Sequence, residues 1–215
     1  MFKILLIEDR IERQRLFSED TGFDFNKYMD ILDNRPSLED GIDLSIYSTI
    51  ICHRSAFGES NDNILDRLKD HCKRTKTQLV FFSGGISSTF YSNTTYEFLL
   101  LNSKSFYSRN LTFYLDEVLK GSLSNLGIMA YGKNWKINLM LDVLSKVNMF
   151  INQNISKEKI KAQRLKTYAQ LDNIKEIVDI EYPIILDGGA ILLEDLQEFA
   201  TKLKGKINQE VLMNE

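Results

Sequence analysis

In the first half of the chain, apolar residues fall in short runs closed by polar residues or glycine. Phe2-Lys3-Ile4-Leu5-Leu6-Ile7 ends at Glu8-Asp9, and Tyr47-Ser48-Thr49-Ile50-Ile51-Cys52 ends at His53. Leu79-Val80-Phe81-Phe82 ends at Ser83-Gly84, and Tyr96 to Leu101 ends shortly before Lys104-Ser105-Phe106. Runs of this length fit strands buried on both faces of a parallel sheet. A fifth strand is expected around Tyr28 to Leu32, and Pro36-Ser37-Leu38-Glu39 reads as a turn. Helical stretches lie between the strands. Ile11, Leu16 and Phe17 mark the first, which closes at Gly22, a residue suited to a helix carboxyl end. Ile64, Leu65, Leu68 and Cys72 lie at helical spacing within 61–73, and Leu111, Tyr114, Leu115, Val118 and Leu119 mark a helix ending near Gly121.

From residue 122 the strand signal nearly vanishes. A helix with a broad apolar face is expected over Trp135 to Asn152. Ser156-Lys157-Glu158-Lys159 then reads as the cap of a second, running to about Ile180. Pro183 breaks it, Gly188-Gly189 forms a hinge, and Ala190 to Met213 makes a third helix. The pattern thus predicts an α/β domain over 1–121, a doubly wound five-stranded parallel sheet, followed by an α-helical region over 122–215.

Composition narrows the function classes. The 215 residues are 43% hydrophobic and 27% charged, ordinary values for a globular protein. A net charge of −3 disfavours a general binder of nucleic acid or anionic membranes. Twelve Lys/Arg balance twelve Asp/Glu over 122–215, so the helical half is a poor DNA binder despite its basic run Lys157, Lys159, Lys161, Arg164 and Lys166. That half suits contact with itself, as a homodimer through 135–215, or with another protein. No apolar run reaches the roughly 20 residues that span a bilayer, and Met1-Phe2-Lys3 enters a strand without a signal-peptide core. A cytoplasmic location is expected. Cys52 and Cys72 form neither a disulfide framework nor a metal motif, and neither a zinc-type spacing nor a Gly-x-Ser-x-Gly elbow occurs.

The landmarks that end the strands carry the candidate chemistry. In parallel sheets the groups at strand carboxyl ends line a common crevice, so Glu8, Asp9, His53, Ser83, Gly84 and Lys104 are expected to share one pocket. Their order resembles the receiver domain of two-component response regulators. That family has an acidic pair after strand 1, a hydroxyl and a small residue after strand 4, and a lysine after strand 5. The resemblance covers about 120 residues and implies the receiver fold and its pocket. In the family the acidic pair binds a divalent cation, and an aspartate ending strand 3 accepts the phosphoryl group. Here His53 stands at that position and Ser105 replaces the proline that usually follows the lysine. Imidazole cannot form an acyl phosphate. The resemblance therefore implies a pseudo-receiver, a regulatory protein that is not an enzyme and acts through contacts with a protein partner, such as a kinase or effector encoded nearby. It has no required cofactor; a retained cation would be Mg²⁺ on Glu8 and Asp9. Lys104 is expected to pair with those carboxylates in place of the metal.

Two other readings compete. Leu79 to Thr89, with Ser83-Gly84-Gly85 at its centre, also resembles the phosphate loop of the ATP pyrophosphatase family, although Ser87 stands where that motif has aspartate. Such a loop would make the protein a nucleotide-binding enzyme, its amides gathered at a helix amino terminus. The second alternative is a response-regulator-type transcription factor whose helical half contacts DNA.

Overall fold

The structure, a computed structural model, describes residues 2–32, 42–56, 62–121 and 123–213. They divide into two compact units, Met1–Lys133 and Asn134–Glu215. The first contains β1 (Ile4–Ile7), α1 (Ile11–Thr21), β2 (Asp30–Leu32), β3 (Thr49–His53), α2 (Asp62–Thr75) and β4 (Gln78–Ser83). It continues with β5 (Phe90–Ser92), β6 (Phe98–Asn102), α3 (Ser103–Phe106), α4 (Arg109–Leu119) and α5 (Gly127–Tyr131). The expected turn at Pro36 to Glu39 lies outside the described residues.

The strands form one sheet in the order β2-β1-β3-β4-β6-β5, parallel except for β5. Every residue of β1 and β3 is buried, which explains their unbroken apolar runs. Alternate residues serve opposite faces. Leu5, Ile7, Ile50, Cys52, Leu79 and Phe81 pack with Leu65, Leu68 and Cys72 of α2. On the other face Thr49 meets Tyr114 of α4 and Phe82 stacks on Phe106 of α3, ring centres 4.2 Å apart. Gly22 ends α1 at φ +70°, where its N–H donates to the Ser18 carbonyl.

A buried polar network holds the amino-terminal end of this sheet. The Gln78 Oε1 accepts from Thr49 Oγ1 (2.8 Å) and from the Tyr114 hydroxyl (2.6 Å), while its Nε2 donates to Glu97 and to the Ser124 carbonyl. Glu97 also accepts from the Tyr91 hydroxyl and the Leu126 N–H. Burial raises the Glu97 pKa, against the pull of these donors. Three strands and the segment before α5 are thereby joined through satisfied polar groups, which a buried carboxylate requires.

Three expectations need correction. The sheet has six strands, because Phe90-Tyr91-Ser92 pairs antiparallel to β6 with Tyr91 fully buried. The connection from β4 to β6 is therefore a strand and hairpin, and three residues are too few to show a period. The first unit runs to Lys133 and not to Gly121, because α5 packs on α4, α3 and β6. The second unit is not purely helical. Its elements are α6 (Trp135–Gln153), β7 (Lys159–Lys161), α7 (Ala162–Ala169), α8 (Leu171–Val178), β8 (Ala190–Leu192) and α9 (Leu193–Met213). Buried Ile160 and Ile191 face each other across the antiparallel β7–β8 pair. Gln170 adopts φ +55° and divides the helix expected over 156–180. No helix among the described residues is long and apolar enough to cross a membrane.

Candidate functional site

Strand register brings the carboxyl-end landmarks side by side. Ile7 pairs with Leu32 and with Cys52, His53 with Phe82, and Ser83 with Asn102. Glu8 and His53 therefore leave adjacent strands at the same level, both buried. His53 belongs to the sheet face that carries Phe82, whose ring centre lies 5.1 Å away, and its Nε2 reaches Arg13 of α1.

Both ring nitrogens of His53 are engaged. Nδ1 lies 2.9 Å from Asp9 Oδ1, 3.0 Å from Ser55 Oγ and 3.5 Å from Glu8 Oε1. Nε2 accepts from Arg13 Nη1 at 2.9 Å, and the same guanidinium nitrogen donates to Ser103 Oγ at 3.4 Å. A guanidinium has only donors, so Nε2 presents its lone pair and Nδ1 carries the proton directed at Asp9. Glu8 accepts from the Arg10 N–H (3.0 Å) and from the Tyr107 hydroxyl (2.9 Å).

The electrostatics follow from this packing. Burial pushes Glu8 up to about 7, against the hydrogen bonds from Tyr107 and the Arg10 N–H that favour its charged form. Burial alone would raise Asp9 as well, but its hydrogen bonds with His53 and Glu8 outweigh it and hold the carboxyl below its usual range. His53 is lowered chiefly by burial, with Arg13 and Arg10 adding to the effect and Asp9 opposing it. The resting pocket pairs an ionised Asp9 with a neutral imidazole and places the positive charge on Arg13.

Glu8, Asp9 and His53 could each turn one donor atom toward a common point, the atoms lying within 4.8 Å of one another. The set does not fit the Mg²⁺ that the receiver resemblance implies. That cation requires near-octahedral oxygen ligands, whereas one position here is an imidazole nitrogen that carries a proton. Binding through Nδ1 would also move the proton to Nε2, directly against the Arg13 donor.

The remaining landmarks behave differently. Ser83 is half-buried and makes a turn, its Oγ accepting from the Gly85 N–H at 3.4 Å and its carbonyl from the Ile86 N–H at 3.3 Å. Gly84 and Gly85 are exposed, and Asn102 Nδ2 pins this turn through the Gly84 and Ile86 carbonyls. The chain continues from the turn into β5, so no helix follows it to gather amides for a phosphate. Lys104 does not pair with Glu8 or Asp9. It is exposed in α3, because β6 ends at Asn102 and the first residue beyond it, buried Ser103, is the one that faces Arg13. The cation that reaches the pocket is Arg13, which contacts His53 and Ser103 and not the two carboxylates. Ser55, Ser103 and Tyr107 are further members that sequence reasoning missed. Arg13 stands one helical turn after Asp9 and could have been placed on the pocket side by that spacing; Tyr107 gave no such signal.

Among known proteins, no family model and no curated sequence matches this chain.

Proposed function

We propose that this protein is a signalling or regulatory protein whose amino-terminal unit is a pseudo-receiver, lacking the phospho-acceptor aspartate and acting through protein–protein contacts. The observation that carries this reading is the His53 position: the imidazole ends β3 at the centre of the pocket, its two nitrogens held by Asp9 and Arg13. The five parallel strands in the order β2-β1-β3-β4-β6 support it. With both nitrogens engaged, a phosphoryl group or a metal has no free atom on His53 to take. Any input must come from a partner or ligand that moves Arg13, Tyr107 or the Ser83 turn, or from protonation within the pocket.

The second unit is the proposed contact region. Leu212 and Met213 at the end of α9 are 72% and 69% exposed, apolar surface of the kind a partner covers.

The test is to add beryllofluoride or acetyl phosphate with Mg²⁺ to the full chain and record its amide NMR spectrum. The expected result is no change at residues 8, 9, 53, 83 and 103. A localised shift there would overturn the proposal.

A further inference from the structure

At the opposite end of the sheet from His53, a cavity of about 480 Å³ opens between the starts of β1 and β2 and the last turns of α4. Its volume falls in the range of small-molecule sites, roughly 300–1,000 Å³. Leu115 and Val118 of α4, with Met29, form an apolar wall. Phe2 and Leu119 stand at the mouth, 40% and 46% exposed, so two large apolar side chains border the opening uncovered.

Among the charged residues that line the cavity, two are cations, Lys3 and Lys27, and one is an acid, Asp30. Lys3 and Lys27 both line the cavity, and neither forms an ion pair among the described residues. The Lys27 ammonium stands 5.6 Å from the centre of the Tyr28 ring, which stacks on Phe23 and gives the lysine a firm seat. The acid on the rim, Asp30, accepts from the Tyr47 hydroxyl at 3.0 Å; this neutral donor leaves its charge in place, so the three ionic groups sum to one positive charge. An apolar cavity whose edge carries two ammonium groups against one carboxylate complements a ligand with an apolar body and one anionic end.

We propose that this cavity binds a soluble single-chain carboxylate, its alkyl chain against Met29, Leu115 and Val118 and its head group between Lys3 and Lys27. A neutral chain would leave both lysines unused, and a cationic one would be repelled. The inference is independent of the pseudo-receiver reading, since it draws on none of the carboxyl-end residues.

The test titrates dodecanoate, below its micellar threshold, into the full chain while methyl NMR signals are followed. Saturable shifts at Met29, Leu115 and Val118 are expected, with binding at least about fivefold weaker for dodecanol, about the limit of one exposed ion pair. The Lys3→Glu, Lys27→Glu double variant, altered only on the exposed rim, should lose about tenfold in affinity. Val118→Trp should fill the cavity and abolish the shifts. Absent or unsaturable shifts, equal affinity for dodecanol, or undiminished binding by the double-lysine variant would each overturn the proposal.

Discussion

Arg13 Nη1 lies 2.9 Å from His53 Nε2, and this contact fixes the imidazole in its Nδ1-protonated form. The guanidinium supplies the positive charge that a cation would otherwise bring to the pocket, but as a donor, which makes His53 an acceptor on that side. Replacing Arg13 by Met should free Nε2 and raise the His53 pKa, since Arg13 is one of the groups that lower it. The lost charged hydrogen bond should cost about 1.5–3 kcal/mol of stability. An NMR titration of the His53 ring checks this, and an unshifted midpoint in the variant would mean that the contact is not formed.

Glu8 gives the first unit a distinctive pH response. Its folded pKa of about 7 lies above its ordinary 4.5, so the folded chain holds this proton more tightly than the unfolded chain does. Its contribution is complete below about 4.5 and is lost as pH rises through about 7. His53, lowered from 6.5, acts in the opposite sense and withdraws stability as pH falls below that value. Glu8→Gln removes the first effect alone. Between roughly pH 5 and pH 8 the glutamine variant should gain about 2–3 kcal/mol on the wild type in denaturant unfolding. A constant difference across that range would contradict the raised pKa.

The network at the other end of the sheet should behave as a unit. Glu97→Ala leaves the Tyr91 hydroxyl and the Leu126 N–H without this acceptor and takes one partner from Gln78, at an expected cost of about 3 kcal/mol or more. Tyr114→Phe leaves Gln78 Oε1 with its Thr49 partner and should cost about 1 kcal/mol. Urea midpoints of the two variants test the order, and equal small losses would show that the network is not cooperative.

In the second unit, Asp179 ends α8 at φ +56°, a left-handed conformation in which a side chain is strained. Its carboxylate also faces the negative end of the helix dipole. Asp179→Gly should relieve both and stabilise the unit by about 1 kcal/mol. Thermal unfolding is the measurement, and a lowered midpoint would refute it.

Long buried strands were legible in the sequence because four or more apolar residues in succession admit few other structures, as β1, β3 and β4 illustrate. Gly22 was legible as the end of α1 because φ +70° suits glycine. The three-residue strands β5, β7 and β8 were not, since Phe90-Tyr91-Ser92 or Lys159-Ile160-Lys161 alone shows no period. The division at Gln170 was hidden for a different reason: nothing in its neighbours demands the left-handed backbone that it adopts. In the pocket, Glu8, Asp9 and His53 could be grouped from strand ends alone. Lys104 was misplaced because the pocket side of α3 depends on whether β6 stops at residue 102 or 103, a difference that apolar runs do not resolve.

Gln78 and its partners fasten one rim of the sheet with bonds that involve no residue of the other rim. Altering Arg13, His53 or the turn after Ser83 leaves that clasp intact. Such a scaffold can exchange the side chains at the other rim without unravelling, and variation within a lineage should therefore concentrate on the segments that follow β1, β3 and β4.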